Sequence, residues 1–185
     1  MIDIQKEIEK KFPNMNKKDN FLKKSLFKIA KKIVHEDSIN QFLSQNAHLK
    51  GFEFVDAVLD YFDFDYAVSS NDLQNIPTSG KVVIIANHPL GGLDALCLLR
   101  LIGQIRKDVK IIANDFLAGF EALNSLIITI DNYKQKQSKS DIKKIYDALK
   151  NEEAVIIFPA GEVSRATAKG IKDPTWNKGF LNFAQ

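Results

Sequence analysis

Along this chain the spacing of apolar residues changes near residue 64. Before it, helical spacing dominates. In FLKKSLFKIAKKIV (21–34), Leu22, Leu26, Ile29 and Ile33 recur at helical intervals, while Lys24, Lys28, Lys31 and Lys32 fall on the opposite side. Gly51 to Phe62 offers another helix, acidic on one side. Beyond residue 64 the apolar runs become short and β-branched. FDYAV (64–68) reads as a strand, Ser69 to Asp72 as a turn, and NIPTSG (75–80) as a loop punctuated by Pro and Gly. KVVIIA (81–86), VKIIA (109–113), SLIITI (125–130) and AVIIF (154–158) read as further strands, and AVIIF is the last clear one. KVVIIA is apolar on both faces, as in a buried parallel strand. Asp94 to Arg106 and Ser140 to Asn151 read as helices, the second with a serine placed to cap it. Strands alternating with helices predict an α/β fold, in which a helical N-terminal region precedes a mostly parallel sheet flanked by helices. The division expected is a helical, basic region over 1–62 and an α/β domain over 63–185.

Composition keeps this picture and narrows it. The chain has 185 residues, 45% hydrophobic and 26% charged, enough for one domain with a real core. No apolar stretch approaches the ~18 to 20 residues of a membrane span. The opening MIDIQKEIEKKF lacks a signal-peptide apolar region, so secretion is not expected. A single cysteine, Cys97, excludes an internal disulfide framework and a Cys-rich metal site, and a reducing cytoplasm fits. Charge is uneven: residues 1–50 hold 11 Lys against 6 acids, whereas residues 51–76 hold 6 acids and no Lys or Arg. The basic front end points to an anionic partner. Its amphipathic helix is either a solvated surface helix or one that lies on an anionic membrane.

Two strand exits carry the candidate chemistry. KVVIIANHP and AVIIFPAGEVSR each run from a buried apolar strand into a Pro-containing turn with polar groups. In open α/β sheets, ligands bind beyond the carboxyl ends of the strands. If both strands are parallel members of one sheet, His88, Asp94, Gly161, Glu162, Ser164 and Arg165 line a single cleft. Pro89 restricts His88 to an extended backbone, and Gly91 and Gly92 let the chain fold tightly back. A carboxylate at Asp94 can then reach one imidazole nitrogen and support the imidazolium formed when the other accepts a proton. The competing reading makes Asp94 a helix cap and His88 a turn residue. No G-x-S-x-G, phosphate loop or G-x-G-x-x-G occurs. Cys97 reads as a core residue, and His35 and His48 as surface or cap residues.

ANHPLGGLD followed some 70 residues later by IFPAGEVSR resembles the glycerolipid acyltransferase superfamily, the relatives of lysophosphatidic acid acyltransferase, and most of all its bacterial hemolysin-like branch. NDFLAGFEALNSLIITID (114–131) occupies the place of that family's middle motif. The resemblance runs from about Phe64 to the end of the chain. It implies acyl transfer from acyl-CoA or acyl carrier protein, as co-substrate, to a lipid acceptor such as a lysophospholipid, with no acyl-enzyme, no metal and no other cofactor. By that likeness His88 is the general base and Asp94 orients it. Asn87, Gly161, Glu162, Ser164 and Arg165 are implied in substrate binding, with Arg165 as an anion contact. The implied partners are an acyl thioester, a lipid acceptor and an anionic membrane surface, and the implied location is peripheral, on the cytoplasmic face of the membrane. The alternative function is a non-catalytic membrane- or lipid-binding module; nucleic-acid binding has only the basic helix behind it, without RNP-like or zinc-finger motifs. Five residues separate His88 from Asp94, where the common family spacing is four and the hemolysin-like branch has five. The usual Phe-Pro-Glu-Gly-Thr-Arg-Ser stands here as Phe158 to Ser164 in the form FPAGEVS, so the headgroup site is altered. The chain also stops before the family's fourth motif, so a C-terminal part is expected to be missing.

Overall fold

The computed structural model describes residues 3, 35–114, 117, 119–130, 138–168 and 170–184. The basic helix expected over 21–34 lies outside them. The chain divides into two compact units, Met1–His48 and Leu49–Gln185. In the first, helix α1 (Glu36–Gln45) buries Phe42. His35 occupies its N-cap position in a left-handed conformation, and both His35 and His48 are exposed, as expected of surface or cap residues.

The second unit is built on four parallel strands: β1 (Val82–Ile85), β2 (Val109–Ala113), β3 (Ile127–Thr129) and β4 (Ala154–Ile157), in the order β1-β4-β2-β3. Val82 stands opposite Ala154 and Ile85 opposite Ile157. Helices cover both faces, as a parallel sheet requires. On one face α5 (Lys139–Lys150) packs on β3 and β4, with Ile145, Ala148 and Leu149 against Ile128, Val155 and Ile157. On the other α4 (Gly92–Ile105) packs on β2, and α2 (Phe52–Tyr61) packs on α4. Sequence grouping places Phe52–Tyr61 with the basic front end; here it packs within the Leu49–Gln185 unit, and Val55 and Leu59, four residues apart, are fully buried. Burying a side chain of that size contributes about 1.5–3 kcal/mol.

Three local expectations are corrected. KVVIIA is a parallel strand as expected but not a buried one: β1 lies at the sheet edge with Ile85 40% exposed, while β4, buried at every position, lies inside the sheet. Two equally apolar runs cannot reveal which of them has neighbours on both sides. FDYAV forms no strand, because no sheet edge pairs with it, and Ser69 begins a short helix, α3 (Ser70–Gln74), by accepting the Asp72 amide. The cap of α5 is Ser138 rather than Ser140; its hydroxyl accepts the Asp141 amide at 3.1 Å and donates to Asp141 Oδ2 at 2.7 Å. Beyond β4 the chain also forms an antiparallel hairpin, β5 (Arg165–Thr167) and β6 (Gly170–Lys172), for which the apolar pattern holds no signal. A 3-10 turn at Lys178–Asn182 follows.

Candidate active site

Parallel pairing of β1 with β4 brings both strand exits to one edge of the sheet. Two contacts then lock them together. The Ser164 amide donates to the His88 carbonyl at 2.9 Å, and the His88 imidazole stacks on the Phe158 ring with centroids 4.0 Å apart. Phe158 was legible only as the end of a strand; its use as the platform for the imidazole needs the fold.

His88 and Asp94 meet. Nδ1 lies 3.3 Å from Asp94 Oδ2, and their side chains are 17% and 14% exposed. The helix-cap reading of Asp94 does not hold: Gly91 takes the N-cap position of α4 and no side chain caps it. Asp94 sits in the first turn of α4, and the same Oδ2 accepts the Leu90 amide at 2.7 Å, which holds the Gly91–Gly92 turn closed. Gly91 takes φ 72°, a conformation that favours glycine. The His88–Asp94 approach lacks the alignment of a formed hydrogen bond. Nδ1 is, among the described residues, the buried side-chain nitrogen left without a hydrogen-bond partner. Burial pushes the imidazole below the ordinary histidine value of 6.5, against the opposing pull of Asp94 and, less strongly, Asp173. The ring is therefore neutral near pH 7 and can accept a proton.

Beside it opens a cavity of about 410 Å³. His88, Gly161 and Glu162 line its rim. Its walls include Ile111 and Ile112 from β2, Ile145 from α5, and Phe180 and Phe183 near the 3-10 turn. The other proposed site residues fall elsewhere. Asp94 does not line the cavity, and neither do Asn87, Ser164 and Arg165. Asn87 is exposed. Arg165 Nη2 donates to both carboxylate oxygens of Glu162, at 2.8 and 3.0 Å, so its charge is already met. The Ser164 hydroxyl donates to Asp173, a residue that no motif marks. Among the described residues no Lys or Arg lines the cavity, and no group of three His, Cys, Asp or Glu side chains could hold a metal ion.

A neutral imidazole backed by a carboxylate, at the mouth of a mostly apolar cavity, is the equipment for base-assisted chemistry on a substrate with an apolar part. Comparison with known proteins gives that class its family. The chain belongs to the acyltransferase family, whose sequence model matches residues 7–185. It is 32% identical over 182 residues to a lyso-glycine lipid O-acyltransferase of Bacteroides thetaiotaomicron, an alignment covering 98% of this chain and 65% of that protein. A protein of the same name from Phocaeicola vulgatus is also 32% identical over 182 residues, with 98% and 63% covered. The chain thus spans somewhat less than two thirds of the length of these relatives. No solved structure matches it.

Proposed function

We propose that this protein transfers a fatty acyl group from a thioester, acyl-CoA or acyl carrier protein, to the free hydroxyl of a lyso-lipid acceptor of the glycine-lipid type. The observation that carries the reading is the His88–Asp94 pair at the mouth of the apolar cavity. With Nδ1 facing Asp94, Nε2 is the nitrogen offered to substrate. It takes the hydroxyl proton as the oxygen attacks the thioester carbonyl. A C–O bond forms, the C–S bond breaks, and the proton passes on to the departing thiolate. Asp94 favours the imidazolium that exists between those transfers.

Two features favour an acceptor without a phosphate. The cavity lining carries no cation among the described residues, and Arg165 is occupied by Glu162. The activity for which the two relatives are named agrees with that chemistry. Membrane docking is part of the same proposal. No described helix is long and apolar enough to cross a bilayer. Leu90 and Val163, however, stand 55% and 44% exposed on the two strand exits beside the cavity.

The test is turnover of labelled acyl-CoA and acyl carrier protein on a panel of lyso-glycine lipid and lysophosphatidic acid. We expect ester formation on the lyso-glycine lipid, and a fall of about 10²- to 10⁴-fold in His88→Ala. Asp94→Asn should fold and still lose much of the activity. Unchanged turnover in a folded His88→Ala would overturn the mechanism, and a preference for lysophosphatidic acid would overturn the acceptor.

A further inference from the structure

The hairpin beyond β4 buries none of its own residues, since every position of β5 and β6 is exposed. A two-stranded hairpin is marginal by itself, so core packing does not account for it. Its register does. Arg165 stands opposite Lys172, Ala166 opposite Ile171 and Thr167 opposite Gly170. One step further along the same register, Ser164 faces Asp173. The hairpin therefore returns a carboxylate to the residue whose amide holds the His88 carbonyl. Asp173 accepts the Ser164 hydroxyl through Oδ1 and the Trp176 indole N–H through Oδ2 at 2.9 Å. Just beyond, the Asn177 amide donates to the Pro159 carbonyl at 2.9 Å, tying the returning chain to the β4 exit.

We propose that Asp173 is a positioning residue for His88: through Ser164 it fixes where the imidazole sits at the cavity mouth, and its charge acts on the ring from outside the His88–Asp94 pair. The inference rests on the acyl-transfer reading for its catalytic consequence, though not for its physical one. Electrostatics point the same way. The Ser164 hydroxyl first, then the Trp176 indole, and after them the backbone and ring of His88 hold the Asp173 carboxyl below its ordinary value. In return Asp173 favours the His88 imidazolium. The charged groups bearing on His88 are thus Asp94 from α4 and Asp173 from the hairpin foot, while Glu162 and Arg165 on the β4 exit satisfy each other.

The test begins without substrate, by NMR titration of the His88 imidazole. Asp173→Asn keeps the shape and removes the charge. It should leave the circular dichroism unchanged and lower the imidazole pKa, and it should reduce kcat roughly tenfold with KM held, because the imidazolium formed during proton transfer loses the support of a carboxylate. The acid limb of the pH profile should move to lower pH with it. Ser164→Ala breaks the link and keeps the charge. It should move the imidazole chemical shifts and lower kcat, while leaving the acid limb where it is. If Asp173→Asn does not fold, Ser164→Ala decides alone: wild-type imidazole shifts and kcat overturn the proposal. Wild-type titration and kcat in a folded Asp173→Asn overturn it as well. A lowered imidazole pKa in Asp173→Asn, with no turnover of any lyso-lipid by the wild-type protein, supports the role of Asp173 and overturns the acyl-transfer reading.

Discussion

Burial and two carboxylates pull the His88 imidazole in opposite directions, and burial dominates, leaving the ring below the ordinary value of 6.5. The proposed base is therefore available across the neutral range. Turnover should hold down to pH 6.5 and fall only as the pH drops past the lowered value; an acid limb above 6.5 would contradict this. Stability follows the same sign. In the unfolded chain His88 titrates at its ordinary value, so between that value and the folded one the unfolded state binds more protons. His88 thus costs no stability above pH 6.5, and an increasing amount as pH falls from there through the folded value. Urea unfolding at neutral and mildly acidic pH should show a larger acid loss for the wild type than for His88→Gln. Equal losses would mean that the ring is not desolvated as the structure has it. Arg165 illustrates the other side of reasoning by residue type. A guanidinium beside a strand exit suits an anion, but here it is paired with the carboxylate of Glu162, three residues away.

At the scale of elements, α4 does the most to hold the site, since its first turn carries Asp94 and its far end packs on α2. Gly103 faces α2: a Cβ there would clash with the Phe52 ring. Gly92, in the first turn of the same helix, has nothing within 4 Å of a Cβ. The two glycines should respond with opposite signs. Gly92→Ala should stabilise by about 0.4–1 kcal/mol, chiefly by restricting the unfolded chain. Gly103→Ala gains roughly 1 kcal/mol of helix propensity but incurs an overpacking cost of about 1–3 kcal/mol, for a net loss on the order of 1 kcal/mol. Chemical denaturation reads both, and a stabilising Gly103→Ala would show that α2 and α4 are not tightly apposed.

At the scale of the whole molecule, the site edge of the sheet is balanced by an anchor at the other. Buried Arg106, at the end of α4, donates to both Asp108 carboxylate oxygens at 2.6 and 2.8 Å, to the Glu152 carbonyl at 2.7 Å and to the Pro77 carbonyl at 3.3 Å. It joins the segments that lead into β1, β2 and β4, and so fixes the amino ends of the strands whose exits form the site. The proposed reaction on a lipid carries an expectation of membrane contact. The protein should sediment with vesicles containing anionic lipid more than with neutral ones, and salt should weaken the preference, since each Lys near such a surface is worth on the order of 1 kcal/mol. Changing Lys24, Lys28, Lys31 and Lys32 to Gln should abolish it. Binding indifferent to lipid charge and to salt would remove the basic segment 21–34 from the proposed docking.

The α/β class, the strands at 109–113 and 154–158 and the approach of His88 to Asp94 were legible in the sequence because each rests on local rules. β-branched runs favour strands, and Pro89 with two glycines bends the chain so that a histidine and an aspartate six positions apart can meet. The strand expected at 64–68 failed because a strand exists only where another offers it hydrogen bonds. Which of two equally apolar strands lies at the centre, which ring supports His88, and which carboxylate returns to Ser164 were decided by tertiary structure alone. Each depends on pairing between segments far apart in the chain, and no local spacing records that pairing. The hairpin shows this most simply: its nine-residue return to Asp173 has no apolar pattern, and its closeness to His88 follows only once β1 and β4 lie side by side.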